Sequence, residues 1–188
     1  TSYLDGRFLI GNPALYAELD REMRAHMSEH GEAFVEAKLA EQARRHESFG
    51  ESLYLLQPNL KESVGGLRDY HTALWIARAT IWEVRRAEHL RVQGFIDGHE
   101  QQQLHEALDF MWRVRNQLHR KGRKDDRLHF EAQERLAEYL GFRESKAVRG
   151  VERLMRTYYM HARSIQLISR RVIAHARQTG LCIEVPVA

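Results

Sequence analysis

The chain has 188 residues, of which 43% are hydrophobic and 29% charged, and its formal net charge is +3 at pH 7. This length and balance indicate a soluble globular protein with a real core, and they exclude a disordered chain. The single cysteine, Cys182, excludes an internal disulfide and suggests the cytoplasm, and neither a membrane span nor a basic tail for nucleic acid is evident.

The first third of the chain predicts helices. Residues 3–10 fit either a short strand or the end of a helix. Asn12, followed by Pro13, is a strong helix start and predicts a helix to about Glu29. A second helix is expected over residues 32–47. The apolar run at residues 53–56 is too short for a helix and predicts extended chain.

The middle of the chain predicts two longer helices and a loop. A helix beginning at Gly66 has apolar residues at alternating steps of three and four, which define one buried stripe: Leu67, Tyr70, Leu74, Ala77, Ile81 and Val84. Asp97 and Glu100 form a capping-box pattern that opens the next helix. Residues 120–127 are polar and form the clearest loop.

The last third predicts a short helix, a long one and a tail. Residues 130–140 form the short helix, with Gly141 as its C-cap. Ser145 is expected to cap the longest helix of the chain, which extends to about Arg177. Residues 181–187 are apolar and β-branched and fit a strand. Together these elements predict an all-α protein: an antiparallel helical bundle with a helical N-terminal appendage.

The segment Pro58–Asp69 carries the strongest functional signal. It places Gly65 and Gly66 at the start of a helix, between Lys61 and Arg68. Glycine permits close approach of a ligand, and the first N–H groups of a helix lack internal partners. With the helix dipole and two cations, this pattern predicts a phosphate cradle. The alternative is a tight turn with solvated charges.

Signals for catalysis or metal binding are weak. The sequence has no Asp-x-Asp, His-Asp, Gly-x-Ser-x-Gly or Walker-type glycine pattern. His26 and His30 are one helical turn apart, but no third ligand follows at a suitable spacing. We therefore assign no catalytic group and no metal ligand to this chain.

Arg115 lies on an apolar helix stripe and needs a partner, because burial of an unpaired cation is costly. We expect that partner to be Asp69; the alternative is that Arg115 extends to solvent. The adjacent Asp125 and Asp126 are expected to pair with basic residues of their own loop, Arg123, Lys124 or Arg127.

Arg115 and His119 are one turn apart on one face, which is similar to the arginine–histidine pair of nucleotide-binding HEPN bundles. That resemblance implies RNA cleavage with histidine as general acid or base. The spacing here is shorter than is usual for the motif. Ribonuclease activity is therefore kept as a rival hypothesis, which predicts that His119→Ala abolishes cleavage.

Two stretches, Pro58–Ile76 and Phe110–Phe142, resemble the bacterial PII uridylyltransferase/uridylyl-removing enzymes. The Gly-Gly-Leu-Arg-Asp core beginning at Gly65 is also similar to glutamine-synthetase adenylyltransferases. Residues 5–12 resemble the last part of the nucleotidyltransferase domain of the uridylyltransferase family. One departure is Ser63-Val64, where the family often has Gly-Pro.

The resemblance implies a domain order of nucleotidyltransferase, helical bundle, metal-dependent HD hydrolase and ACT domains. Residues 1–57 would then be the trailing part of the nucleotidyltransferase domain and residues 58–188 the helical bundle. The chain begins at Thr1 rather than methionine, and we expect it to belong to a longer protein. Since the metal-binding carboxylates would lie outside it, the fragment alone is expected to be inactive.

The function implied by the resemblance is to close one side of the transferase cleft. Lys61, Gly65, Gly66 and Arg68 would contact the triphosphate of UTP, which is used with Mg²⁺, while Asp69, Arg115 and His119 would support that loop. The expected partners are the PII signalling protein and the adjacent nucleotidyltransferase and HD domains, with neither nucleic acid nor membrane. Alternatives are a non-catalytic protein-interaction bundle and the equivalent region of a protein adenylyltransferase.

Overall fold

The structure is a computed structural model that describes residues 4–120 and 125–179. Within these ranges the chain forms six helices, and its β-pairing is one isolated bridge, which confirms the predicted all-α class. The helices are α1 (Pro13–Phe49), α2 (Leu67–Thr80), α3 (Ala87–Val92), α4 (Gly98–His119), α5 (Phe130–Tyr139) and α6 (Gly150–Thr179).

The core forms around α2 and α6. α6 packs against α2, α4 and α5, while α1 packs against α2 and is paired with α6 through Glu36 and Arg177. Consequently α2 is buried over most of its circumference. The side chains that fill the centre are large and fully buried: Leu67, Ile76, Leu104, Met111, Leu154, Tyr158 and Ile165. Within the described ranges, no helix is long and apolar enough to cross a membrane.

The prediction of two N-terminal helices is wrong, because α1 is a single helix of 37 residues. Its predicted start is confirmed: Oδ1 of Asn12 accepts a hydrogen bond from the Ala14 amide at 2.9 Å. Gly31 does not interrupt α1, although glycine inside a helix costs about 1 kcal/mol relative to alanine. It lies on the buried stripe between Met27 and Val35, so packing outweighs its low helix propensity.

Other boundaries are partly as expected. The capping box is confirmed, since the Glu100 amide donates to Asp97 Oδ1 at 2.8 Å and the Asp97 amide to Glu100 Oε2 at 2.9 Å. α5 also lies where it was predicted. Ser145 does not cap α6, which begins at Gly150; instead its hydroxyl accepts from the Val148 amide at 3.2 Å and closes a turn.

The remaining predictions concern irregular chain and the domain boundary. Residues 53–56 have no strand partner in the described part of the chain and continue as coil. α2 ends at Thr80, before Ile81 and Val84 of the predicted stripe. Val84 is nevertheless buried, and it belongs to the irregular connection that follows α2. The predicted strand at residues 181–187, together with Cys182, lies outside the described residues. The proposed boundary after residue 57 stays a prediction.

Candidate functional site

The two stretches that suggested a known family meet at the isolated bridge between Asn59 and Arg127. The Leu60 amide donates to the Asp126 carbonyl at 2.9 Å, and the Leu128 amide donates to the Pro58 carbonyl at 2.8 Å. The bridge therefore fixes the Pro58–Asp69 segment to the chain that precedes α5.

The turn before α2 is closed by side chains. Asn59 Oδ1 accepts from the amides of Lys61 at 3.0 Å and Glu62 at 2.9 Å. Ser63 Oγ accepts from the Asn59 amide at 2.9 Å. Ser63 thus stabilises the turn at the position where the family often has glycine, and several local hydrogen bonds hold the segment.

Both glycine amides have internal acceptors. The Gly65 amide donates to Asp69 Oδ2 at 2.8 Å, and the Gly66 amide donates to the Ser63 carbonyl at 2.8 Å. Both residues are buried. The expectation that these amides are free to bind an anion is therefore wrong.

The next two amides of α2 are also satisfied. The Leu67 amide donates to the Leu60 carbonyl at 3.0 Å, and the Arg68 amide donates to the Lys61 carbonyl at 2.9 Å. The carbonyl groups of the preceding turn thus occupy the donors that a helix N-terminus usually leaves open. An anion near this segment must be held by side chains.

The glycines are required by close packing. Gly65 has φ +72°, and a Cβ there would lie 2.2 Å from the Ala162 carbonyl oxygen of α6. A Cβ on Gly66 would lie 2.7 Å from the Lys61 carbonyl oxygen. The Gly-Gly pair therefore lets the turn fold tightly and lets α6 approach it.

Asp69 is the centre of a buried polar cluster. Its side chain is 3% exposed and accepts from Gln42 Nε2 at 2.9 Å, from His46 Nε2 at 2.9 Å, and from Arg45. Burial by itself would raise the pKa of Asp69, but the hydrogen bonds from His46, Gln42 and Gly65 and the nearby His46 charge hold it below its ordinary value. Asp69 therefore anchors α1 and the glycine turn to α2.

The expected pairing of Asp69 with Arg115 is wrong. Arg115 Nε lies 2.7 Å from Asp126 Oδ1, and its Nη2 lies 3.1 Å from Oδ2, which is a bidentate pair. The backbone bridge brings Asp126 to α4, whereas α1 supplies the partners of Asp69. His119 Nε2 also lies 2.7 Å from Asp126 Oδ1, in a close contact without hydrogen-bond alignment.

Arg68, His71 and Arg115 form a cationic face. The His71 ring stacks on Trp75 with centroids 5.8 Å apart and meets the edge of Trp112 at 6.4 Å. Arg68 lies over Trp75 at 5.7 Å, and Arg115 lies over Trp112 at 5.4 Å.

The arginines of this face affect the titration of His71. The pKa of His71 is lowered, mainly by burial and also by the charges of Arg68 and Arg115, while Asp5 opposes the shift. Glu62 borders the face: its carboxylate lies 3.0 Å from Lys61 Nζ and 3.7 Å from Arg68 Nε. The cationic face therefore combines two planar donors with a titratable ring.

Comparison with known proteins identifies the family. The family described as GlnD PII-uridylyltransferase matches residues 33–173. This chain belongs to that family.

Three bacterial relatives illustrate the similarity, and all are described as bifunctional uridylyltransferase/uridylyl-removing enzymes. The proteins of Bradyrhizobium sp. (strain ORS 278) and Rhodopseudomonas palustris are 39% and 40% identical over 167 residues, which is 88% of this chain. The protein of Rhodospirillum rubrum is 38% identical over 172 residues, or 90% of the chain. The match spans 18% of each relative's length. No solved structure matches the chain significantly.

In this member of the uridylyltransferase family, the structure brings together some predicted residues and adds others. Arg68 and Arg115 share the cationic face, and Lys61 lies at its border. Sequence reasoning missed His71 and Trp75, although they follow Arg68 by three and seven residues and hence share its helix face.

The described part of this family member contains no group of three or more His, Cys, Asp or Glu side chains that could hold a metal ion. His26 and His30 stack on each other with centroids 4.5 Å apart. Both residues are exposed.

Proposed function

We propose that this chain is the helical region of a PII uridylyltransferase that contacts the phosphates of the nucleotide through its cationic face. In the intact enzyme, UMP would be transferred from UTP to a tyrosine of a PII protein. Family membership supports the reaction class. The proposed contact with phosphate rests on one observation, which is that Arg68 and Arg115 both lie beside His71.

The chemistry of the face suits a phosphate group. Guanidinium groups present planar sets of donors that match phosphate oxygens, and they also stack on aromatic rings. Arg115 donates to Asp126 from Nε and Nη2, so Nη1 of Arg115 is left for a further acceptor. Arg68 is similarly oriented by Glu62 and Trp75.

The other predicted residues take structural roles in this proposal. Gly65 and Gly66 permit the tight turn, and Asp69 fixes that turn to α1. Asp126 orients Arg115, with His119 beside it. Lys61 lies at the border of the face and is paired with Glu62.

The remaining parts of the reaction would come from outside this chain. Mg²⁺ would accompany UTP, held by carboxylates of a nucleotidyltransferase domain that packs beside the helical region. An HD hydrolase domain would be the other neighbour. The bundle would then supply binding and orientation, and the chemical step would belong to its neighbour.

The test is the nucleotide dependence of PII uridylylation by a full-length uridylyltransferase that contains this chain. Arg68→Ala combined with Lys61→Ala should raise the KM for UTP by roughly tenfold, because charge-assisted contacts to phosphate are lost. Arg113→Ala is the control: the Arg113 side chain is 61% exposed, and it pairs with Asp109 on the same helix as Arg115. An unchanged KM in the double variant, with folding intact by circular dichroism, would remove the proposed role.

Binding by the chain itself distinguishes the alternatives. UTP–Mg²⁺ titrated into the 188-residue chain should bind if the region contacts nucleotide phosphates. ATP–Mg²⁺ should bind similarly, because the cationic face contacts only phosphate groups, so uridylyl and adenylyl transfer are distinguished by the nucleotide that the full-length enzyme transfers. Binding of a PII protein alone would favour an interaction bundle. Cleavage of RNA that disappears in His119→Ala would favour the ribonuclease hypothesis.

A further inference from the structure

The outer surface of α6 carries a regular stripe of exposed arginine and apolar residues. Arg156, Met160, Arg163, Leu167 and Arg170 follow one another at alternating steps of four and three, and all five are exposed. Such spacing places them on one side of the helix, over about 21 Å at 1.5 Å per residue. We call these five residues the α6 stripe.

Positive charge predominates along the α6 stripe. α6 contains six arginines and a single acidic residue, Glu152. Within the described ranges, Arg156, Arg163 and Arg170 have no acidic partner within salt-bridge distance. By contrast, Arg171 and Arg177 of the same helix pair with Glu100 at 2.6 Å and with Glu36 at 3.6 Å.

The apolar members of the stripe are unusually open. Met160 is 61% exposed and Leu167 is 53% exposed. Met160 also lines an open groove of about 460 Å³, together with Tyr54, Glu152, Met155, Arg156, Tyr159 and Arg163. One wall of the groove is fixed, because the Tyr159 hydroxyl donates to the Leu55 carbonyl at 2.9 Å.

We propose that the α6 stripe docks an acidic amphipathic α-helix of a protein partner. The three unpaired arginines would bind carboxylates of the partner helix, and charge complementarity of this kind selects and orients partners. Arg156, Arg163 and Arg170 repeat at seven residues, as do Met160 and Leu167, which is the repeat at which two helices stay in register. An apolar side chain of the partner would enter the groove beside Met160.

An acidic protein helix fits this surface better than a nucleic acid or an anionic membrane does. Phosphodiester backbones gain little from covering Met160 and Leu167, whereas a protein helix buries them at about 25 cal/mol per Å². Binding to an anionic membrane would require more apolar side chains than these two. This surface shares no residue with the cationic face, so the two proposals succeed or fail separately.

The experiment is a titration of the full 188-residue chain with a designed peptide, followed by fluorescence anisotropy. The probe is an acidic helix of roughly 20 residues, with glutamates facing the arginines and leucines at seven-residue steps. The variant Arg156→Glu/Arg163→Glu/Arg170→Glu should weaken binding at least about tenfold. A probe with glutamine in place of each leucine should also bind more weakly at the same charge.

The matched control is Arg21→Glu/Arg113→Glu/Arg143→Glu, which makes the same change in net charge at exposed arginines outside α6. It should weaken binding by less than about threefold. Equal losses in the two triple variants, or no effect of the leucines, would overturn the proposal. Preferential binding of phosphatidylserine vesicles or duplex RNA that is lost in the α6 variant would also overturn it and assign the stripe to that ligand.

Discussion

The carboxylate of Asp69 on α2 lies 2.9 Å from Nε2 of His46 on α1, and the same carboxylate accepts from Arg45 and from the Gly65 amide. One buried side chain thus ties together α1, the glycine turn and the first turn of α2. The stability of the fold should therefore be sensitive to changes at any of these three places.

Removal of the Asp69 carboxylate should destabilise the fold strongly. Asp69→Ala leaves Arg45 buried without its main partner, and loss of one member of a buried pair costs about 3 kcal/mol or more. Urea unfolding followed by circular dichroism measures the change. Asp109→Ala is a suitable control, because the Asp109 side chain is 59% exposed and its pair with Arg113 should contribute under about 0.5 kcal/mol.

The stability contributed by Asp69 should depend on acid pH. Its folded-state pKa is below the ordinary value, so the contribution is fully present above about pH 3.9 and is lost as the pH falls through the folded-state pKa. Asp69→Asn should therefore flatten the acid side of the stability profile. Asp20, whose pKa is also lowered, should preserve part of the slope. An unaltered slope would contradict the assignment.

Gly65→Ala should destabilise the protein by roughly 3 kcal/mol, because it combines an unfavourable φ with a clash against the Ala162 carbonyl. Gly94 provides a close control. It has φ +77°, but no atom lies within 4 Å of the position that a Cβ would occupy there. Gly94→Ala should cost only about 1 kcal/mol. Similar losses at the two sites would show that the contact with α6 is unimportant.

Arg115 should be coupled to Asp126 and not to Asp69. In double-mutant cycles with alanine, the pair Arg115/Asp126 should show a coupling of about 1 kcal/mol, because the guanidinium forms two hydrogen bonds with that carboxylate. The pair Arg115/Asp69 should be additive within about 0.5 kcal/mol. Chemical denaturation of the single and double variants gives both values, and the reverse pattern would contradict the described pairing.

Much of the helical pattern could be predicted from sequence, since it depends on local spacing and caps. Asn12 and the Asp97–Glu100 capping box identified helix starts that the structure confirms. The contacts of the candidate site were harder to predict from sequence. Glycines before a helix suggested free amides, but the Asp69 carboxylate and the carbonyl groups of the same turn accept their hydrogen bonds, and the motif alone does not give the geometry of that turn. The Arg115 partner was likewise decided by a long-range bridge between Asn59 and Arg127.

Anion binding on the cationic face should involve proton uptake by His71. The pKa of His71 is lowered by burial, Arg68 and Arg115, so the ring is favoured as neutral above about pH 6.5. A phosphate beside the arginines would offset their charge and favour protonation, so binding should tighten as the pH falls from about 7 to 6. Calorimetry of UTP–Mg²⁺ binding in two buffers measures the protons taken up.

The phosphate can also take up protons, and the variant His71→Gln distinguishes its contribution from that of the histidine ring. Glutamine is polar but does not titrate. The variant should take up fewer protons than the native chain under the same conditions. Equal uptake in the two proteins would exclude His71 as the responsible group.

The continuity of α1 has a mechanical consequence. Its 37 residues form one rod of about 55 Å, with Asp20 bound to Trp82 and Arg85 near one end and Arg45 and His46 at the other. Because one continuous helix makes both sets of contacts, the connection that carries Trp82 and Arg85 and the glycine turn are held at a fixed separation.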